Sequence, residues 1–226
     1  MQPIVIIADI VGSRRIPGRS AFQQRLGKTL EQINADAGAA LLSPYTITLG
    51  DEFQAVYSRF APIFQNLVAI AWRCYPEKIR FAVNAGPIAT EINPTAAVGM
   101  DGPAFHGARA AIERMKKIDE TVIVVQREGA SIGPVYDAAL RVLSIYLNGL
   151  GATALGALAL YSRGAELATM VAETGVKQRA VYKAMDVNYV REHWQLFEAL
   201  SREIEQEFER QHASWYESAA SDIVGA

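Results

Sequence analysis

The stretch "TITLGDEFQAVY", residues 46–57, decides how the first half of the chain is read. Thr46–Leu49 and Phe53–Tyr57 each alternate along the chain with a period of two, as strands do. Gly50-Asp51 between them suits a tight hairpin turn with glycine at its first central position. The tip carries two adjacent carboxylates, Asp51 and Glu52, where Asn-Gly would serve the turn as well. Upstream, "PIVIIADIVGSRR" (3–15) contains a continuous apolar run suited to a strand buried on both faces. That strand also ends in a carboxylate, Asp9.

Outward from the hairpin, Phe22, Leu26, Leu30, Ile33, Ala37 and Leu41 recur at helical spacing after Ser20, which can cap the helix, and Pro44 is expected to end it. Phe60, Phe64, Leu67, Ala71 and Cys74 mark a second helix, closed by Pro76. "KIRFAVNAGPI" (78–88) reads as a strand, with Arg80 and Asn84 on one face. Asp101-Gly102-Pro103 opens a third helix with the stripe Phe105, Ala108, Ile112 and Met115. "ETVIVVQ" (120–126) reads as a further strand. The order β-α-β-β-α-β-α-β starts with the six elements of a ferredoxin-like unit, an antiparallel sheet with helices on one face. After "REGASIGP" (127–134) Ala, Leu, Glu and Arg dominate and no strand is expected. The fold class is therefore α+β: a ferredoxin-like domain over 1–130, then an all-α domain over 131–226.

The 226 residues are 50% hydrophobic and 20% charged, a globular balance, and the net charge of −2 gives no global attraction to nucleic acid or anionic membrane. Such contact requires a local basic patch. The single Cys74 excludes an internal disulfide framework and a cysteine-based zinc site, and fits a reducing cytoplasm. The first apolar run has no basic leader and is stopped by Asp9. The longest bland run, 150–161, falls short of the roughly 20 residues of a membrane span. A cytoplasmic protein with no membrane partner is expected.

In a β-α-β-β unit the first strand and the hairpin are neighbours, so Asp9 and Asp51 can project over the same sheet edge. Two carboxylates there repel unless a cation lies between them. A hard divalent ion such as Mg2+ takes one or two carboxylates together with phosphate oxygens. The loop containing Gly12 can offer backbone N–H groups to those phosphates, and Arg14 and Arg15 follow directly. Each feature has a plainer reading. Aspartate favours turns for local hydrogen bonding, and the arginines suit an exposed basic loop. His106, Arg109 and Glu113 share the polar flank of the third helix, where Arg109 and Glu113 can pair at i,i+4. His106 and Arg109 are thus either a solvated face or neighbours of a bound phosphate. His193 and His212 read as solvated, and the tryptophans as core or interface. No P-loop and no GxGxxG occurs.

In the second half, "AELATMVAETGVKQRAVYKAM" (165–185) reads as helix, tight turn at Gly175, helix, with Val176 and Val181 as inner contacts. The second helix then exposes Lys177, Gln178, Arg179, Tyr182 and Lys183, groups suited to DNA base edges and phosphates. The plain alternative is an αα-hairpin with a charged surface. Val171 and Thr174 depart from the residues usual in a helix-turn-helix. From 188 to 212 one long helix carries the stripe Trp194, Phe197, Leu200, Ile204 and Phe208, which must pack on this chain or on a second copy.

"ADIVGSR", "TLGDEFQAVY", "IRFAVNAGPI" and "GPAFHGARAAIE" together resemble the palm domain of class III nucleotidyl cyclases, a palm shared by GGDEF-type diguanylate cyclases. The resemblance covers residues 1–126. It implies two divalent metals, Mg2+ or Mn2+, held by Asp9, the Ile10 carbonyl and Asp51, and nucleotide phosphates cradled by Val11, Gly12 and Ser13. It also implies a homodimer, since palm cyclases work as dimers. The chain departs from that pattern at the catalytic positions. Ile47 stands where cyclases carry a base-selecting lysine, and His106 and Ala110 where they carry asparagine and arginine. Arg109 is one residue out of register, and losing aimed positive charge costs phosphoryl transfer orders of magnitude in rate. The combination "DIVGSR … GDEFQ … GPAFH(x)AR" is similar to the SatD family, bacterial proteins regarded as candidate regulators, in which a helical segment follows the palm-like part. The expectation is a cytoplasmic regulator that binds a nucleotide or divalent metal through its palm and DNA through its helix-turn-helix. The alternatives are an active nucleotidyl cyclase or nucleotidyltransferase using the two aspartates, and a structural dimer with a vestigial site.

Overall fold

The computed structural model describes residues 2–119 and 123–224, with only the backbone for Leu49 and for 211–224. Its elements are β1 (Ile4–Ile10), α1 (Arg19–Asp36), β2 (Leu41–Leu49), β3 (Glu52–Tyr57), α2 (Ile63–Cys74), β4 (Ile79–Ala85), α3 (Pro103–Lys117), β5 (Ile123–Arg127) and β6 (Ala130–Ser131). Helices follow: α4 (Pro134–Gly149), α5 (Ala152–Tyr161), α6 (Leu167–Thr174), α7 (Gln178–Val187) and α8 (Val190–Val224). The first three residues of the expected strand 120–126 lie outside the described residues.

The six-stranded sheet has the order β2-β3-β1-β4-β5-β6. β1 runs antiparallel to both β3 and β4, and β5 joins β4 in parallel after the α3 crossover. The first four strands form the ferredoxin-like arrangement expected of an α+β fold. Strand alternation explains why β1 is apolar throughout. Ile4, Ile6, Ala8 and Ile10 face α1 and α2, while Val5 and Ile7 face α3 on the other side. Helices thus cover both faces. α3 approaches the sheet closely because Gly107 has no side chain. A Cβ there would stand 2.5 Å from Asn84 Nδ2, which instead donates to the Ala104 carbonyl at 2.8 Å.

The structure corrects the reading around Pro44. α1 ends at Asp36, and Leu41 and Pro44 belong to β2. β2 is an edge strand, and its pairing with β3 is irregular between Ser43 and Thr46. A proline there forfeits no ladder hydrogen bond. Asn34 ties helix to strand by bonding both backbone groups of Tyr45, at 2.7 and 3.0 Å. The hairpin is as expected: Leu49 pairs with Glu52 across Gly50-Asp51, and Gly50 has φ 52°.

Every described element after β6 is helical. α4 to α8 share one apolar cluster with α1, α2 and a sheet face. The α8 stripe, left open between this chain and a second copy, packs on this chain. Phe197 meets Phe64 with ring centroids 5.2 Å apart, and Phe208 meets Phe60 at 6.0 Å. Glu205 accepts the Phe60 and Ala61 N–H groups at 2.5 and 2.8 Å, satisfying donors just ahead of α2. His193, expected to be solvated, stacks on Tyr146 with centroids 3.5 Å apart. The side chain of His212 lies outside the description.

α5 crosses α2 at Gly156, where a Cβ would stand 2.6 Å from Trp72 Nε1. Gly156→Ala should therefore destabilise the protein by about 1–3 kcal/mol through overpacking, read from the urea midpoint. Burial pushes the Tyr57 hydroxyl from 10.0 up to about 12 and the Cys74 thiol from 9.0 up to about 12. Both groups are held protonated above their unfolded values, so their stabilisation is complete below the unfolded values and is lost as pH rises toward 12. Melting temperature should fall steeply from pH 9 to 12, and substituting Tyr57 by Phe should shrink the part of that fall due to its hydroxyl.

Candidate functional site

The C-terminal end of β1 brings several candidate residues together. The Ile10 N–H bonds the Asp51 carbonyl at 3.0 Å, so the hairpin tip lies against the strand end. Gly12 takes the left-handed conformation, φ 66°, and turns the chain back. Ser13 Oγ then donates to Asp51 Oδ2 at 2.5 Å. Arg14 and Arg15 are exposed just beyond, and the Arg15 guanidinium lies over Gly12. The Arg19 guanidinium lies over Gly50, whose carbonyl accepts from Gln23 at 2.9 Å. The tip thus lies among the side chains of Ser13, Arg19 and Gln23 and is tied to β1 by one backbone bond.

Asp9 points the other way, toward α3, because it follows Val5 and Ile7 in alternation. It is 3% exposed. Lys116 Nζ holds its Oδ1 at 3.0 Å and Arg80 Nη1 holds its Oδ2 at 3.2 Å. Arg80 also reaches Asp119 at 3.0 Å. Glu52, opposite Asp9 in the ladder, is bound by Arg109 and lies 3.8 Å from Lys116. Burial pushes the Asp9 carboxyl above its usual range, against the pull of Lys116 and Arg80. Burial draws Lys116 down, but Asp9, Glu113 and Glu52 outweigh it, so the ammonium is held above its usual range.

Asp9 and Asp51 therefore share a sheet end but have different partners. As a metal corner the arrangement fits poorly, since both Asp9 oxygens already face cationic side chains. Among the described residues no group of three or more His, Cys, Asp or Glu side chains is placed to hold a metal ion, and Asp9, Glu52 and Glu113 instead surround the Lys116 ammonium. The predicted i,i+4 pair of Arg109 with Glu113 does not form. Arg109 turns inward to Glu52, and Glu113 lies 3.4 Å from Lys116. His106 stays exposed beside Asp101, 2.7 Å away.

The helical half presents a second candidate. Gly175, φ 69°, ends α6, and its N–H bonds the Val171 carbonyl at 3.0 Å. Thr174, one of the two departures from the helix-turn-helix pattern, donates to the Met170 carbonyl at 2.6 Å. α7 packs inward through Val181 and Met185. Lys177, Gln178, Arg179, Tyr182 and Lys183 all face outward. Among the described residues none of these three cations has a carboxylate partner.

The sequence pattern of the SatD family matches residues 3–132. The chain belongs to the SatD family. The match spans the sheet and α3, and the helices from α4 onward lie beyond it. No curated protein is similar to the chain. Among solved structures, the dimeric guanylyl cyclase domain of the RhoGC fusion protein from the aquatic fungus Blastocladiella emersonii is similar at 17% identity and a TM-score of 0.38, covering 55% of this chain and 79% of that one. A superposition this loose is no basis for transferring activity or assembly. No helix among the described residues is long and apolar enough to cross a membrane.

Sequence reasoning missed Arg80, Lys116 and Asp119 as partners around Asp9. Signals existed: Arg80 is out of phase with the core residues of β4, and Lys116 lies seven residues, two helical turns, after Arg109. Removing one partner of a buried pair leaves an uncompensated charge. Arg80→Met should cost about 3–5 kcal/mol in urea unfolding, and Lys116→Met, on the half-open side, clearly less.

Proposed function

We propose that this SatD-family protein is a DNA-binding regulator whose α7 reads duplex DNA. The observation that carries this reading is the outer face of α7. Lys177 at the entry to α7 and Arg179 and Lys183 on it stand exposed, without carboxylate partners among the described residues, beside Gln178 and Tyr182, on a helix held from behind by Val181 and Met185. Cations left without acids suit phosphates, and glutamine suits an adenine edge. Selection from a random duplex library followed by fluorescence anisotropy tests it. Lys183→Ala should weaken binding to all sequences alike and lower the salt slope by about 1, whereas Gln178→Ala should alter sequence preference. Failure to bind any duplex at low salt overturns the reading. Two half-sites call for a homodimer, which sedimentation of the protein with and without operator would establish.

The sheet end is our candidate for a nucleotide. The Val11 N–H is already given to the Lys78 carbonyl at 2.9 Å, so the Gly12 and Ser13 backbone, with Arg14 and Arg15, suits phosphate oxygens, supported by the left-handed Gly12 and the exposed guanidinia. Mg2+ or Mn2+ at Asp9, the Ile10 carbonyl and Asp51 would have to displace Lys116 from Asp9 Oδ1. A triphosphate should thus stabilise the protein with little help from metal. At a hundredfold excess over its dissociation constant the gain is about 2.7 kcal/mol, visible as a melting shift lost when Arg14 and Arg15 are both alanine. An active cyclase is the weaker reading, because Arg109 is held by Glu52 and Ile47, His106 and Ala110 replace the catalytic pattern.

A further inference from the structure

A cavity of about 900 Å³ opens between α1, α2, α5 and the α6–α7 turn. That is the size of a pocket that encloses a small organic molecule, typically 300–1,000 Å³. Small residues keep it open: Ala21 on α1, Ala69 on α2, and Ala152 and Ala159 on α5 line its walls. Trp72 forms part of the wall, standing against Gly156 with the Arg73 guanidinium 4.0 Å over its ring.

Charge in the cavity is one-sided. Arg25, Lys28, Arg73 and Arg163 line it, against the single carboxylate of Glu173. Arg73 is matched by Glu173 at 2.7 Å, and Arg163 by Asp36 at 2.7 Å. Arg25 and Lys28, three residues apart on α1, face the space with no carboxylate partner among the described residues. Arg25 only reaches the Cys74 carbonyl, at 3.3 Å, and lies over the Phe22 ring. The hydroxyl-bearing Thr29, Thr153 and Thr174 and the amides Gln24 and Gln32 complete the polar lining.

We infer that this cavity is a binding site for a small organic anion with a flat apolar body: the body against Trp72 and the alanine walls, the anionic group on Arg25 and Lys28. The site is separate from the sheet end and from the outer face of α7. Its lining includes Thr174 and Val176, at the turn that leads into α7. An occupant would therefore touch both the α1–α2 layer and the turn. The ligand site does not depend on α7 reading DNA.

The test uses the full chain without DNA and two fluorescent probes of nearly the same shape, anionic 8-anilinonaphthalene-1-sulfonate and its uncharged parent N-phenyl-1-naphthylamine. Saturable binding of one sulfonate per chain is expected, and it should exceed binding of the neutral probe. Replacing both Arg25 and Lys28 by Gln, at exposed positions where folding is readily checked by melting, should weaken the sulfonate about tenfold or more while leaving the neutral probe unchanged. Trp72→Leu should weaken both probes, through loss of the flat wall. Equal sulfonate binding by the wild type and the Arg25/Lys28 double variant, or no saturable binding at all, overturns the inference. DNA binding is measured separately, so either claim can fail alone.

Discussion

The packing of α5 and α8 on α2 holds the two halves of this molecule in one arrangement. Two edge-to-face aromatic pairs, Phe60 with Phe208 and Phe64 with Phe197, supply the apolar contact. Glu205 supplies the polar one by capping two N–H groups that the chain leaves open at the helix entry. α5 fills the space beside it, and α6 and α7 rest on α5. Because α2 also forms one of the two helical covers on the sheet, the position of α7 is referred to the sheet through a short series of packed helices. The cavity beside Trp72 lies within that series.

The second ordering element is the charged layer under α3. A carboxylate at the end of a central strand is costly to bury alone. Asp9 is buried because Arg80 and Lys116 reach it from a neighbouring strand and from the helix above, and Glu52 with Arg109 repeats the arrangement one strand over. These side chains fix where α3 sits along the sheet, together with the close approach at Gly107. The carboxylate is thus in structural use, whatever the hairpin tip beside it binds.

Much of the fold was legible in the sequence because periodicity reports burial. The alternation of β3 and β4, the stripes of α2, α3 and α8, and the glycine turn at 50–51 all follow from which faces meet the core. Pro44 misled because its usual meaning, the end of a helix, is overridden on an irregular edge strand. His193 misled because its stacking partner, Tyr146, is on another helix. The site was half legible. The Gly12 turn and the tip residues are local in sequence, and the exposed face of α7 follows from helical spacing. The partners of Asp9 lie 71 and 107 positions away, in Arg80 and Lys116, and only strand register and helix docking bring them there. Glu113 was the obvious local partner for Arg109, and tertiary contact took precedence.

The sheet's two borders limit how copies of the chain can meet. One border is β2, whose pairing shifts three times and which holds Pro44, so it offers no regular row of donors and acceptors to a neighbouring strand. The other closes with β6, only two residues long, beside α4, whose Ser144 hydroxyl takes the Ile123 N–H. Among the described residues both borders are therefore poor templates for strand addition by a neighbouring molecule. Irregular and short borders of this kind steer contact between copies toward helical and loop surfaces, where side chains make it, and away from edge-to-edge polymerisation.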